Sequence, residues 1–136
     1  MRIFLDANIL FSAAKSDGPV RALIQALLDA GHQCCVDGFV IEEARRNLFA
    51  KSDAEAQAAL APLLERMQVG AAMANARLPQ AALVLPEKDR PVMSAAIANA
   101  CDRLVTGDRT HFGPLYGKTI AGVKVCAPAA LAQELL

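Results

Sequence analysis

The sequence predicts an α/β fold with a parallel sheet, and two patterns predict it. Short apolar runs alternate with longer stretches whose apolar residues recur at helical spacing. Most of the short runs are apolar throughout, as in strands buried on both faces with helices covering each side of the sheet. The chain has 136 residues, the size of one domain with a sizeable core, so residues 1–136 are read as a single unit. It shows no internal repeat, linker or low-complexity tract.

Arg2-Ile3-Phe4-Leu5 is the first strand, and Ile9-Leu10-Phe11 follows through a turn into a short helix. Asp17-Gly18-Pro19 starts the next helix, with proline in its first turn. Val20, Leu23, Ile24, Leu27 and Leu28 form its apolar face, and Gly31 stops it. Cys34-Cys35-Val36 is a second strand. Phe39 to Ala50 is a helix with Val40, Ala44 and Leu48 on one face. Ser52-Asp53-Ala54-Glu55 reads as a capping box for a helix reaching about Met67, with Pro62 as a kink site. The segment Val69 to Val84 has the weakest pattern; Met67 to Ala72 and Leu83-Val84-Leu85 are its candidate strands. Pro86 to Asp89 lead into a helix from Arg90 to Ala100. Leu104-Val105-Thr106 is a strand, and His111 to Lys118, with three Gly or Pro residues, is a loop. Val123 to Cys126 is the last strand, and Pro128 opens a terminal helix through Leu136.

Composition narrows the function. Hydrophobic residues make up 54% and mean hydropathy is +0.29, which excludes intrinsic disorder. Lys plus Arg and Asp plus Glu are 14 each. That balance argues against a broad electrostatic nucleic-acid binder, though not against a local basic rim. Aromatic residues, at 4%, are too few for a stacking platform. Cys34, Cys35, Cys101 and Cys126 form no C-x-x-C pair and are expected as buried, reduced thiols. Met1-Arg2 runs straight into a strand pattern, and no apolar run approaches the ~18 residues that span a bilayer. A soluble, cytoplasmic protein with no membrane partner is expected.

Four acids stand where a strand ends or a helix begins. Asp6 closes the first strand, Glu43 lies within Phe39 to Ala44, Asp89 precedes the run Pro91 to Ile97, and Asp108 closes Arg103 to Gly107. In a parallel sheet such positions meet at the carboxyl edge. Carboxylates gathered there repel unless something positive lies between them, and a hard divalent cation prefers oxygen ligands. Each acid has an ordinary structural explanation as well: an Asx turn for Asp6, a solvated helix face for Glu42-Glu43, and a helix cap for Asp89. Asn8 is placed to hold a neighbouring carboxylate, on the same side of an extended segment as Asp6. Thr106 is placed to bind a carboxylate or a cation's water. Gly107 permits a close turn that leaves Asp108 at the edge. Asp102 stands near a helix end. Arg45, Arg46, Lys51, Lys88, Arg90 and Arg109 are near the acids in sequence and are candidates for gripping phosphates, with solvated surface charge as the default. His111 is read as an exposed loop histidine rather than a proton donor, and His32 has no role.

Together these residues resemble the PIN-domain family, and its VapC-like toxins in particular. The resemblance rests on Leu5-Asp6-Ala7-Asn8-Ile9-Leu10, on Val40-Ile41-Glu42-Glu43-Ala44-Arg45-Arg46-Asn47-Leu48, and most of all on Lys88 to Ile97 followed by Cys101 to Asp108. Val123 to Pro128 resembles the family's last strand and helix, so the likeness covers essentially the whole chain. It implies a compact three-layer α/β/α sandwich around a central parallel sheet. It also implies a Mg²⁺- or Mn²⁺-dependent endoribonuclease with one or two ions, the toxin of a toxin–antitoxin pair. Asp6, Glu43, Asp89 and Asp108 match the family's acidic metal site, and only this match prefers Glu43 to Glu42. Asn8 and Thr106 match supporting polar positions, and Asp102 a position that is often acidic. RNA as substrate, a small antitoxin and a homodimer are the implied partners.

Two other readings use the same residues. One is a catalytically silent PIN-fold module that binds RNA or a partner, which would not need to keep four mutually repelling acids. The other is an aspartate-based phosphatase or phospho-receiver. The phosphatase would want an Asp where Asn8 stands, and the receiver a lysine at the end of a late strand.

Overall fold

Strand β1 (Arg2–Leu5) runs through the middle of the sheet, between β2 (Gln33–Asp37) and β4 (Arg103–Val105). Its side chains Ile3, Phe4 and Leu5 are fully buried, as an unbroken apolar run requires. The computed structural model describes residues 1–51, 53–71 and 77–136. Among these residues, adding β3 (Gln68–Gly70), β5 (Thr119–Ile120) and β6 (Val123–Cys126) gives one six-stranded sheet in the order β3-β2-β1-β4-β6-β5. Every pairing is parallel except β5 with β6. The sheet is thus mixed at one edge rather than wholly parallel, inside the expected α/β sandwich.

Among the described residues, seven helices flank it: α1 (Ala7–Lys15), α2 (Pro19–Asp29), α3 (Gly38–Ala50), α4 (Ala54–Glu65), α5 (Arg90–Ala98), α6 (Arg109–Phe112) and α7 (Pro128–Leu135). Helix α1 packs against α2, α3 and α4, and α2 packs on β2 and α7. Pro19 opens α2 at its first turn, as its fixed φ favours. All four cysteines are buried and free. Among the described residues, no helix is long and apolar enough to cross a membrane.

The chain passes from β1 to β2 on one side and later to β4 on the other, so the crossover direction reverses beside β1. Sheets of this kind open a crevice at the carboxyl ends of the two strands where that happens. Asp6 and Thr106 follow directly on β1 and β4 there, and the Asp6 N–H donates to the Val105 carbonyl at 3.1 Å.

Several local expectations are corrected. Asp6, Ala7 and Asn8 do not form an extended segment: Asp6 caps α1, and Asn8 lies in its first turn. Asp53 caps α4 by accepting from the Ala56 N–H at 2.9 Å; Ser52, the expected cap, lies outside the described residues. The strand expected between Met67 and Ala72 is β3, and Ala72 lies outside the described residues. Leu83-Val84-Leu85 is no strand, because residues Gln80–Val84 form a 3₁₀ turn. Prolines flank that turn, and the Arg90 guanidinium takes the Leu83 and Leu85 carbonyls at 3.1 and 3.0 Å. The segment His111 to Lys118 is not all loop, since α6 and a 3₁₀ turn at Gly113–Leu115 occupy its start. Strand β5, not anticipated, closes a hairpin with β6.

Candidate metal centre

Asp6 is only 5% exposed, and its two oxygens do different things. Oδ1 accepts from the Ala7 N–H at 2.7 Å, capping α1. Oδ2 accepts from the Thr106 hydroxyl at 2.7 Å and from the Asn8 amide at 3.1 Å. Thr106 is fully buried, and its Oγ1 also accepts from Asn8 Nδ2 at 3.2 Å and from the Asp108 N–H at 3.1 Å. Asn8 Oδ1 accepts from the Gly107 N–H at 2.8 Å, which ties the turn after β4 to the first turn of α1. Tyr116 donates its hydroxyl to the Thr106 carbonyl at 2.7 Å.

Burial pushes the Asp6 carboxyl up from 3.8 to about 6, against the lowering effect of the hydrogen bonds from Thr106 and Ala7. The charges of Glu43 and Asp89 push it further the same way. Glu43, whose charge acts on Asp6, is half-buried while Glu42 is exposed. Asp89 precedes α5 but makes no side-chain capping bond, so the cap explanation does not hold for it.

Asp108 caps α6 through Oδ1, accepting from the His111 N–H at 3.1 Å. One helical turn on, the His111 ring leans back over the acids. Its Nδ1 lies 2.9 Å from Asp89 Oδ2 and 3.0 Å from Asp108 Oδ2. Close as they are, Asp89 Oδ2 and His111 Nδ1 are both buried atoms with no hydrogen bond among the described residues. The ring is therefore not an exposed loop histidine. It joins Asp89 and Asp108 in a group whose ligand atoms all lie within 4.8 Å of one another. Its position three residues after Asp108 was the signal that the loop reading of residues 111–118 hid.

Asp6, Asn8, Glu43, Asp89, Thr106 and Asp108 are thus gathered at one edge, and Asp102 is not. Asp102 stands before β4, where it accepts the Arg2 N–H at 2.8 Å. That is the amino edge of the sheet, about 13 Å from Asp6 at the rise of four strand residues. Arg90 is likewise not free for phosphate, since its guanidinium is committed to two carbonyls. Arg45 and Arg46 are exposed and line an open groove of about 470 Å³ with Phe49, Gln57 and Leu60. Arg109 and Lys88 are exposed, and exposed Lys51 lines a hollow beside Asn8. A second hollow, of about 400 Å³, opens between Asn8, Ser12, Gly107 and Asp108. Asp37, which sequence reasoning passed over, is a buried acid at the end of β2, but it caps α3 through the Val40 N–H at 3.1 Å.

Among the described residues, no lysine or arginine pairs with Asp6, Glu43, Asp89 or Asp108. Converging carboxylates, an Asp held near 6 and two buried atoms without hydrogen bonds fit a divalent cation. The four acids could hold it, with Asn8 and Thr106 fixing the Asp6 rotamer.

A family described as PIN domain matches residues 2–110. Among solved structures, VapBC2 from Rickettsia felis, bound to a DNA fragment from its promoter, aligns with a TM-score of 0.63 at 16% identity. The alignment covers 93% of this chain and 98% of that one. PAE2754 from Pyrobaculum aerophilum aligns with the same TM-score and identity over 99% of this chain and 95% of its own. At such identity the likeness shows a shared fold. No curated protein matches the chain in sequence.

Proposed function

This chain belongs to the PIN-domain family, whose members are generally nucleases, and we propose that it is a Mg²⁺- or Mn²⁺-dependent endoribonuclease. The observation that carries the proposal is the convergence of Asp6, Glu43, Asp89 and Asp108 at the sheet's carboxyl edge with no Lys or Arg counter-charge among the described residues. One or two bound ions would supply positive charge to a phosphodiester and acidify an attacking water.

The chain's own groups do the rest. Thr106 and Asn8 hold Asp6 Oδ2, so that this carboxylate is oriented before any substrate arrives. Asp108 is positioned by its bond to the His111 N–H and by its own N–H on Thr106 Oγ1. The hollows on either side of Asn8 leave room for a single strand to pass the acids. Lys51 lines one of these hollows, exposed Arg109 directly follows Asp108 in sequence, and both serve as phosphate contacts in this reading.

Residues 1–136 act as one nuclease domain in the cytoplasm. The Rickettsia felis neighbour is a VapBC2 assembly, and by analogy this chain is the toxin of a pair neutralised by a small antitoxin and is itself a homodimer.

The test is cleavage of a mixed RNA pool by purified protein with Mn²⁺, with Mg²⁺ and with chelator. Asp6→Asn and Asp108→Asn should each lose on the order of a hundredfold or more in rate while keeping the wild-type circular dichroism. Undiminished cutting in both variants, or cutting in chelator, would reject the assignment.

A further inference from the structure

We propose that the His111 imidazole is itself a cation ligand through Nδ1, making a mixed nitrogen–oxygen site that prefers a transition-metal ion to Mg²⁺. The inference rests on the reading of Asp89 and Asp108 as cation ligands given above.

Distance is the first argument. Nδ1 lies 2.9 Å from Asp89 Oδ2 and 3.0 Å from Asp108 Oδ2. Adjacent ligands of an octahedral ion with bonds of about 2.1 Å are separated by about 3.0 Å, which is the edge of that octahedron. Both spacings from Nδ1 match that edge, and the three atoms lie within 4.8 Å of one another.

Orientation is the second. A ring that served only to neutralise the acids would aim a hydrogen bond at one of them. Instead, among the described residues, the Asp89 Oδ2 and His111 Nδ1 atoms are both buried without a hydrogen bond, while lying 2.9 Å apart. Groups left so in a native fold call for a partner, and a cation set between the three atoms satisfies all of them at once.

The third argument is that the fold holds the ring in place. His111 is on α6, whose start is capped by Asp108 and whose last residue, Phe112, is fully buried. The ring therefore comes with the turn that presents Asp108, rather than from a mobile side chain. Its chemistry sets the preference: imidazole nitrogen suits transition ions, whereas Mg²⁺ takes oxygen almost exclusively.

Pulsed electron paramagnetic resonance of the Mn²⁺-loaded wild-type protein tests this. The chain has two histidines. His32 accepts from the Met1 amino group at 3.0 Å, beside β2's amino end. A directly coordinated nitrogen in the spectrum therefore reports His111. The expected result is ¹⁴N hyperfine coupling in wild type that disappears in His111→Gln. By calorimetry, Mn²⁺ affinity should fall about tenfold in that variant, with Mg²⁺ affinity changed much less. Mn²⁺ bound by wild type without nitrogen coupling would overturn the ligand role and leave the acidic site standing. Tighter Mn²⁺ binding by His111→Gln would overturn it too, since the ring would then be competing with the cation. Failure of wild type to bind Mn²⁺ at all would overturn both readings. The wild-type spectrum decides the matter even if the variant folds poorly.

Discussion

Thr106 joins the two halves of the site through one oxygen atom. Its hydroxyl donates to Asp6 and accepts from Asn8 and from the Asp108 N–H, using every position it has. Thr106→Val keeps the shape and removes all three bonds. It should cost about 1–3 kcal/mol by urea unfolding, because buried partners are left unsatisfied. It should also raise the Asp6 carboxyl above its present value of about 6, since the Thr106 bond lowers it, and ¹³C NMR titration of that carboxyl would read the change. Asp6 in turn makes the metal-free protein sensitive to pH. Its carboxyl holds its proton to about 6 when folded and releases it from 3.8 when unfolded. The contribution is fully present below the lower value and is lost as pH rises through the upper one. Above that, the ionised group costs about 3 kcal/mol. In chelator, Asp6→Asn should therefore gain stability relative to wild type as pH rises from about 4 to just above about 6. A difference between the two proteins that stays constant over this range would contradict the shift.

At the scale of elements, the β5–β6 hairpin is the clearest place where local chemistry departs from the ideal. Ala121 and Gly122 both have positive φ, 49° and 85°, as a two-residue turn of the right twist demands. Glycine accepts that backbone freely, whereas alanine is strained there by roughly 1–2 kcal/mol. Ala121→Asn should raise the midpoint of thermal unfolding by relieving about 0.5–1 kcal/mol, because asparagine tolerates the left-handed region. Asp102 belongs at this scale too. It pins the start of β1 to β4 from the sheet's far edge. Asp102→Ala should cost about 1 kcal/mol of stability and leave RNA cleavage unchanged. A collapse of cleavage in that folded variant would return Asp102 to the site.

For the whole molecule, the balance of charge and the concentration of acid at one edge give different expectations. Net charge is zero, yet among the described residues the acids of the site have only the His111 ring as a close partner and no paired Lys or Arg. A cation bound only by the folded state should stabilise it by about 2.7 kcal/mol at a hundredfold excess over Kd. Thermal melts with Mn²⁺ and with chelator should therefore separate for wild type and converge for Asp89→Asn. Exposed Phe49 lines the groove on α3 together with Arg45 and Arg46. Under the toxin reading, a partner with an apolar anchor and acidic flanks would suit it.

Strand and helix alternation, the acids at the ends of β1 and β4, and the Thr106-Gly107-Asp108 turn were all legible along the chain. Each follows from local pattern: buried strands read as unbroken apolar runs, and a polar residue that ends such a run must sit at the sheet edge. What local pattern could not decide was which side chains meet across that edge. Glu43 rather than Glu42, the exclusion of Asp102, and the commitment of Arg90 to backbone carbonyls depend on strand order and helix rotation. The short elements were also hidden. A one-turn helix, a 3₁₀ turn and a two-residue strand have too few residues for a period to appear, so tertiary contacts set them. His111 combines both limits. Its helix is too short to read, and its meaning comes from Asp89, a residue 22 positions earlier that only the folded sheet brings within 2.9 Å.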